Sequence, residues 1–346
     1  MIGILVAILN MRIGASIVAA AVMMVRFPLK RARKIFSYAL WATVFFRFIC
    51  PVSFESQTSL MPTNAEIIPP TIATAPIPHI NSGISVVDDP FNLFIESAIT
   101  TNTSTLKVGL SIGVYVWVAG IIVMLLYFIV GNIRLRQRIF DATLLRDNIY
   151  QTDKIATAFV IGTIRPKIYI PLAVKGKQIA YILKHEQVHI RRRDYLIKPL
   201  AFLALAVHWF NPMAWLSYYF MSKDMEMSCD EAVLHRLGED IRQDYSKSLI
   251  NLYTRKPGLL NPLGFGEGSL KSMKARVKNV LNFKKTPRWA VILCSLFVVL
   301  FTVGFTTNQP QSLSLDKLVD GPIPNQPTSL ATQPPNSIDS RLTLIE

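Results

Sequence analysis

The chain has 346 residues, 51% of them hydrophobic, with a mean hydropathy of +0.35 and a formal net charge of +15. An apolar load of that size, gathered into blocks, excludes an ordinary soluble domain and reads as a multi-pass membrane protein. Three scattered cysteines, Cys50, Cys229 and Cys294, exclude a disulfide framework, and no nucleic-acid-binding motif, internal repeat or glycine-rich phosphate loop is visible.

Residues 1–50 read as two transmembrane helices around a basic loop. The first apolar run, Ile2 to Val25, is interrupted only by Arg12 and is rich in Gly14, Ala15, Ser16, Ala19, Ala20 and Ala21, small residues that suit close helix contact. A cleaved signal peptide is the alternative; the lack of a basic leading region and the position of Arg12 favour a retained helix. The second run, Ile35 to Cys50, is short and carries Arg47 near its end, where the side chain can snorkel outward. Arg26, Lys30, Arg31, Arg33 and Lys34 crowd the connection, whereas residues 51–106 contain no lysine or arginine but include Glu55, Glu66, Asp88, Asp89 and Glu96. The positive-inside rule therefore puts the first connection in the cytoplasm, and residues 51–107 and both termini outside. Val108 to Val130 is the clearest span.

Residues 131–288 form the expected cytoplasmic domain, with 27 lysines and arginines against 13 acidic residues. Anionic membrane lipid is favoured over nucleic acid or an acidic protein as the partner of this excess. The charge recurs beside the spans, at Arg134, Arg136 and Arg138 and at Lys284, Lys285 and Arg288. Ala158 to Pro171 reads as two β-rich runs broken around Gly162 and Pro166. Such a hairpin is either plain structure or a strand that holds substrate backbone.

A helix over Gln178–Arg193 follows, carrying His185-Glu186-Gln187-Val188-His189. Positions i and i+4 share a helix face, so both imidazoles can reach one metal ion while Glu186 sits beside them as a general base. Zinc held by such ligands keeps a position open for water; a chance spacing is the bland alternative. Tyr195 to Met221 is an apolar stretch that Pro212 divides into two pieces, each too short to cross a bilayer. It either backs the catalytic domain or enters the membrane face. His208 within it reads as an interior histidine rather than a ligand.

Downstream, Glu226-Met227-Ser228-Cys229-Asp230-Glu231 lies in sequence that reads as helix. Glu226 and Asp230 are again four apart, so Glu226 is expected as the third zinc ligand and Asp230 as the acceptor of a ligand histidine's outward N–H. Glu231 is the alternative ligand, and a solvated face is the alternative for Glu226. Cys229 reads as a small buried packing residue rather than a redox switch. The fourth span, Trp289 to Phe305, has Trp289 and basic residues at its edge as an interface anchor. Residues 306–346, rich in Pro, Gln, Ser and Thr, read as a disordered outer tail.

The run from His185 to Asp194, then Phe210-Asn211-Pro212, then Glu226 to Asp230, preceded by Ala158-Phe159 through Pro171, resembles the catalytic region of the BlaR/MecR-type integral membrane zinc peptidases. With the span layout, the resemblance covers residues 1–305. It implies a mainly α membrane protein of the bacterial cytoplasmic membrane, with four transmembrane helices and a cytoplasmic gluzincin-like α+β zinc peptidase domain. It further implies an endopeptidase that relays an extracytoplasmic signal by cleaving itself or a partner, inactivating a winged-helix transcriptional repressor of antibiotic-resistance genes. The matching positions are His185, His189 and Glu226 as zinc ligands and Glu186 as general base. Self-cleavage is expected between Lys271 and Arg288, and a homodimer is compatible with this reading. The chain departs from the best-known members, which carry an extracellular penicillin-binding sensor after the last span. Residues 306–346 hold no Ser-x-x-Lys, so β-lactam acylation is not carried over, and a truncated member would read the same. Two other roles compete: a quality-control or CAAX-type membrane zinc protease, and a membrane scaffold or receptor with a vestigial site.

Overall fold

A computed structural model describes residues 2–50, 54–57, 59–61, 89–90, 92–93, 103–254 and 270–308. Most of the 51–107 loop and the tail beyond Asn308 lie outside the described residues. Helices α1 (Ile2–Val25) and α2 (Lys34–Ile49) form a hairpin through a 3-10 turn at Pro28–Arg31. Ala15, Val18, Ala19 and Val22 recur at three- and four-residue spacing on α1 and are wholly buried, as are Leu40, Trp41 and Val44 on α2. Small residues on one helix let the larger apolar face of the other come close. Beyond α2, the two-residue strand β1 (Phe54–Glu55) pairs in parallel with β6 (Thr307–Asn308).

Helix α3 (Thr103–Arg138) runs past the expected end at Val130, so Arg134, Arg136 and Arg138 lie on its last turns rather than in the following domain. Then comes a four-stranded sheet of β2 (Thr143–Arg146), β3 (Ile149–Thr152), β4 (Phe159–Ile161) and β5 (Lys167–Pro171), in the order β2-β3-β5-β4. The expected hairpin is β4 and β5, paired antiparallel with Val160 opposite Ile168. Its turn needs Gly162, whose φ is +114 and where an added Cβ would lie 2.7 Å from the Arg165 carbonyl oxygen. Helix α4 (Lys177–Arg192) packs Ile182 on Ile168 and Ile170 of the sheet.

Arg193 adopts φ 60, closing α4 and opening α5 (Asp194–Val207). The chain breaks where Pro212 demands it. Asn211 caps α6 (Pro212–Leu237) by accepting from Met213 N at 2.9 Å, with the proline in the first turn, where no N–H is needed. Two indoles clasp α3 to the end of α5: Trp117 Nε1 donates to Val207 O at 2.8 Å and Trp209 Nε1 donates to Trp117 O at 3.2 Å. Gly120 gives the Trp209 ring its seat. Helices α7 (Arg242–Thr254), α8 (Leu270–Leu281) and α9 (Arg288–Thr306) complete the described chain.

Among the described residues, three helical segments are long and apolar enough to cross a membrane: Gly3–Val25, Ser111–Arg138 and Arg288–Thr306. On α3 and α9, Val116, Val123, Leu126, Ile292, Leu296 and Leu300 are exposed, the surface that lipid solvates. The other expected span, α2, has 16 residues, short of the roughly 20 needed for a hydrocarbon core, and it packs against α1, α6 and α9. The apolar interior of the described residues forms three clusters. One joins α1, α2, α5 and α6, a second joins the end of α6 to α7 and α8, and a third lies between the sheet and α4.

Candidate metal centre

Helices α4 and α6 pack together with their polar residues facing each other. His185 and His189 sit one turn apart on α4, and their Nε2 atoms are 3.1 Å from each other. Glu226 on α6 meets them: Oε2 is 3.3 Å from His185 Nε2 and Oε1 is 3.6 Å from His189 Nε2. One donor atom from each residue lies within 4.8 Å of the others. Zinc bound tetrahedrally at about 2.0–2.1 Å separates its donors by about 3.3 Å, so the three atoms have the spacing a zinc ion asks for. Two imidazole nitrogens this close cannot both turn lone pairs toward each other unless a cation or a proton stands between them.

Each ring is held from behind. His185 Nδ1 lies 3.2 Å from Asp230 Oδ1 and 3.0 Å from the Tyr245 hydroxyl, and that hydroxyl donates to the same carboxylate oxygen at 2.7 Å. His189 Nδ1 lies 2.8 Å from Asp194 Oδ2. With Nδ1 as the donor, each ring presents its Nε2 lone pair to the common centre. Burial works against charge on His185, but the carboxylates of Asp230 and Glu226 prevail and raise its pKa from the ordinary histidine value. The centre favours positive charge.

Arg276 on α8 ties the carboxylates together. Its Nη1 is 3.0 Å from Glu226 Oε2, while Nε and Nη2 donate to the two oxygens of Asp230 at 2.9 and 2.8 Å. Burial pushes the Asp230 carboxyl up, yet the Arg276 charge and the hydrogen bonds from Arg276 and His185 bring it down to about 2. Glu226 is held well below the carboxylate range against its burial, first by Arg276 and then by the two histidines. Glu186 behaves oppositely. Buried on α4 beside the histidine pair, it has a pKa raised by desolvation, with His189 and His185 opposing. A carboxylate tuned upward is suited to accepting a proton near neutral pH.

The structure thus brings His185, Glu186, His189, Glu226 and Asp230 to one place. Glu231 is not there: Oε2 accepts from Lys34 N at 2.8 Å and Oε1 from Asn279 Nδ2 at 3.1 Å. Cys229 is buried behind His189, with its thiol 3.6 Å from Asp194 Oδ2; burial raises its pKa, so it stays a neutral neighbour. His208 is an interior residue, its Nε2 3.0 Å from Phe48 O. Asp194, Tyr245, Arg276 and Tyr38 are the site residues without a sequence assignment. Asp194 follows the HExxH motif by five residues, a spacing that offers a clue, whereas Arg276 is 46 residues from Asp230 and Tyr38 is 156 from Asp194.

Relatives that share part of this chain include a regulatory protein and a methicillin resistance protein. The regulatory protein BlaR1 of Bacillus licheniformis is 27% identical over 194 residues, 49% of this chain and 32% of that protein. The methicillin resistance mecR1 protein of Staphylococcus aureus is 26% identical over 165 residues, 44% of this chain and 28% of that protein. The matched stretch therefore spans about a third or less of each relative's length. The BlaR1 peptidase M56 family matches residues 6–280 of the 346, which include both polar helices and most of the α1–α2 hairpin, and the chain belongs to that family.

Proposed function

We propose that this protein is a membrane-embedded zinc metalloendopeptidase in which His185, His189 and Glu226 hold the metal and Glu186 is the general base. The observation that carries the reading is the donor spacing of 3.1, 3.3 and 3.6 Å with an imidazole–carboxylate pair behind each ring. Zinc, when bound, supplies a Lewis acid and a water that ionises near neutral pH. The Glu186 carboxylate takes the attacking water's proton and passes it to the leaving amine. Asp230 and Asp194 keep the ring tautomers fixed, and Arg276 keeps Glu226 ionised and in place. Strand β4 has one edge paired to β5, and its other edge is available for a substrate strand among the described residues.

Residues 131–288 are proposed to face the cytoplasm. The outer ends of α2 and α9 lie together: Arg47 Nε donates to Phe305 O at 2.7 Å, and Leu60 N donates to Gly304 O at 2.9 Å. The opposite end of the hairpin meets the catalytic helices, with Arg26 paired to Asp224 on α6 at 2.7 Å. That end carries the basic loop, so the positive-inside rule supports a cytoplasmic metal centre. Helix α2 is proposed as the fourth crossing, short at 16 residues but enclosed by protein rather than lipid. The peptidase half is proposed to be of the gluzincin kind.

The role proposed, in line with the named relatives, is signal relay: an outside stimulus leads to self-cleavage or to inactivation of a winged-helix repressor governing antibiotic resistance. Lys271 to Leu281 is helical, so of the expected self-cleavage zone residues 284–287, which lie in neither helix nor strand, are the part proposed for cleavage. Co-expression with a repressor encoded beside this gene tests the reading. Repressor is lost with the native chain and kept with Glu186→Gln; equal loss with both would remove the proteolytic mechanism.

A further inference from the structure

The metal centre is not built from the peptidase region alone. Asp194, which backs His189, is 2% exposed, and its other oxygen, Oδ1, accepts a hydrogen bond from the Tyr38 hydroxyl at 2.9 Å. Tyr38 belongs to α2, the enclosed helix of the membrane hairpin. The two carboxylate oxygens are therefore divided: one faces the phenol, the other faces the imidazole.

We propose that Tyr38 is a positioning residue of the metal centre, its hydroxyl fixing Asp194 and Asp194 in turn fixing the ring of His189, so that the membrane hairpin completes the site. This rests on the zinc reading given above. A buried carboxylate oxygen without its donor is costly, and Asp194 would relieve that by rotating, sharing both oxygens with His189 or tilting away from it. Either movement turns the ring and moves the Nε2 lone pair off the centre. The same helix continues to Arg47, nine residues or about 14 Å further along. There its guanidinium binds Phe305 O, Thr307 O and Asn308 Oδ1. Helix α2 thus joins the strands at the outer end of α9 to the carboxylate that orients a ligand, and a shift at that end reaches His189 through one rigid element.

Zinc affinity of the purified full chain in detergent, by chelator competition, and the visible absorption of the cobalt(II)-substituted protein test this without relying on turnover. Tyr38→Phe, which removes only the hydroxyl, should weaken zinc by about tenfold, the lower end of the range for residues behind a ligand, and should shift the cobalt bands. Asp194→Asn should do the same, the double variant should be no weaker than Asp194→Asn, and Tyr38→His, which keeps a ring and a donor, should recover part of the loss. Thr43→Val, which removes an α2–α9 hydrogen bond, should leave both readings unchanged. Native affinity and spectrum in Tyr38→Phe, or additive losses in the double variant, would overturn the proposal while leaving the zinc reading intact. Failure of the native chain to take up one equivalent of metal, or unchanged uptake in His189→Ala, would overturn both. If Tyr38→Phe does not fold, Tyr38→His and Tyr38→Leu decide the matter together: bands nearer the native ones in Tyr38→His than in Tyr38→Leu support the donor role, and the same spectrum in both opposes it.

Discussion

The two sides of the metal centre are supported differently. Behind His185, Asp230 is fully buried and takes hydrogen bonds from Tyr245 and from two nitrogens of Arg276, all from helices α6 to α8. Behind His189, Asp194 has the hydroxyl of Tyr38 at 2.9 Å and the weak thiol donor of Cys229 at 3.6 Å, and the shorter of these two contacts arrives from the α1–α2 hairpin. One histidine is locked by a charged network within the peptidase region. The other is held by a neutral hydroxyl on a helix that reaches the opposite end of the bundle, the arrangement expected where a site must be stable yet responsive to the membrane.

The largest effect lies at the proposed general base. Glu186→Gln should lower peptide cleavage by about 10²–10⁴-fold while leaving zinc content at one per chain, measured by turnover and metal analysis of the same preparation. Next, removing each backing carboxylate should separate the two sides. Asp230→Ala removes the two-nitrogen partner of Arg276, leaving it only Glu226, and should cost about 3 kcal/mol of stability in chemical denaturation. Asp194→Asn should cost chiefly metal affinity, about 10–100-fold; equal stability losses would erase the distinction. Arg276→Lys comes third. A single ammonium cannot span Glu226 and both oxygens of Asp230, so it should lose about 1–3 kcal/mol and weaken zinc more than Tyr38→Phe does.

A pH scan gives the smallest contrast. The fold depresses the Asp230 carboxyl to about 2, so its stabilising contribution is complete above the ordinary aspartate value and is lost as pH falls toward 2. In chelator-treated protein, thermal stability should drop more steeply between about pH 4 and 2 in the native chain than in Asp230→Asn. Parallel curves would show that the Arg276 network does not stabilise the ionised form.

The proposed ligand residues were legible as two helix-face pairs because helical periodicity is local. His185 with His189, and Glu226 with Asp230, repeat at four residues, and a helix brings such pairs to one face whatever the tertiary fold. The break at Pro212 and the β4–β5 hairpin around Gly162 were readable for a similar reason, since proline and glycine act on their own backbone. What supports the ligands was not legible. Tyr38, Tyr245 and Arg276 lie in an apolar helix, a mixed helix and a basic helix, and nothing in their neighbourhoods marks them; only packing brings them to Asp194 and Asp230. The pairs β1–β6 and β3–β5 are equally non-local, and the sheet's other hairpin, β2–β3, went unread because its strands carry no alternation of buried and exposed positions.

Zinc content of the purified full chain, set beside that of His185→Ala, His189→Ala and Glu226→Ala, tests the central claim most directly. The account predicts one zinc per native chain and loss of stoichiometric zinc from each variant with helicity retained. A Glu226→Ala chain that keeps its zinc at native affinity would contradict it.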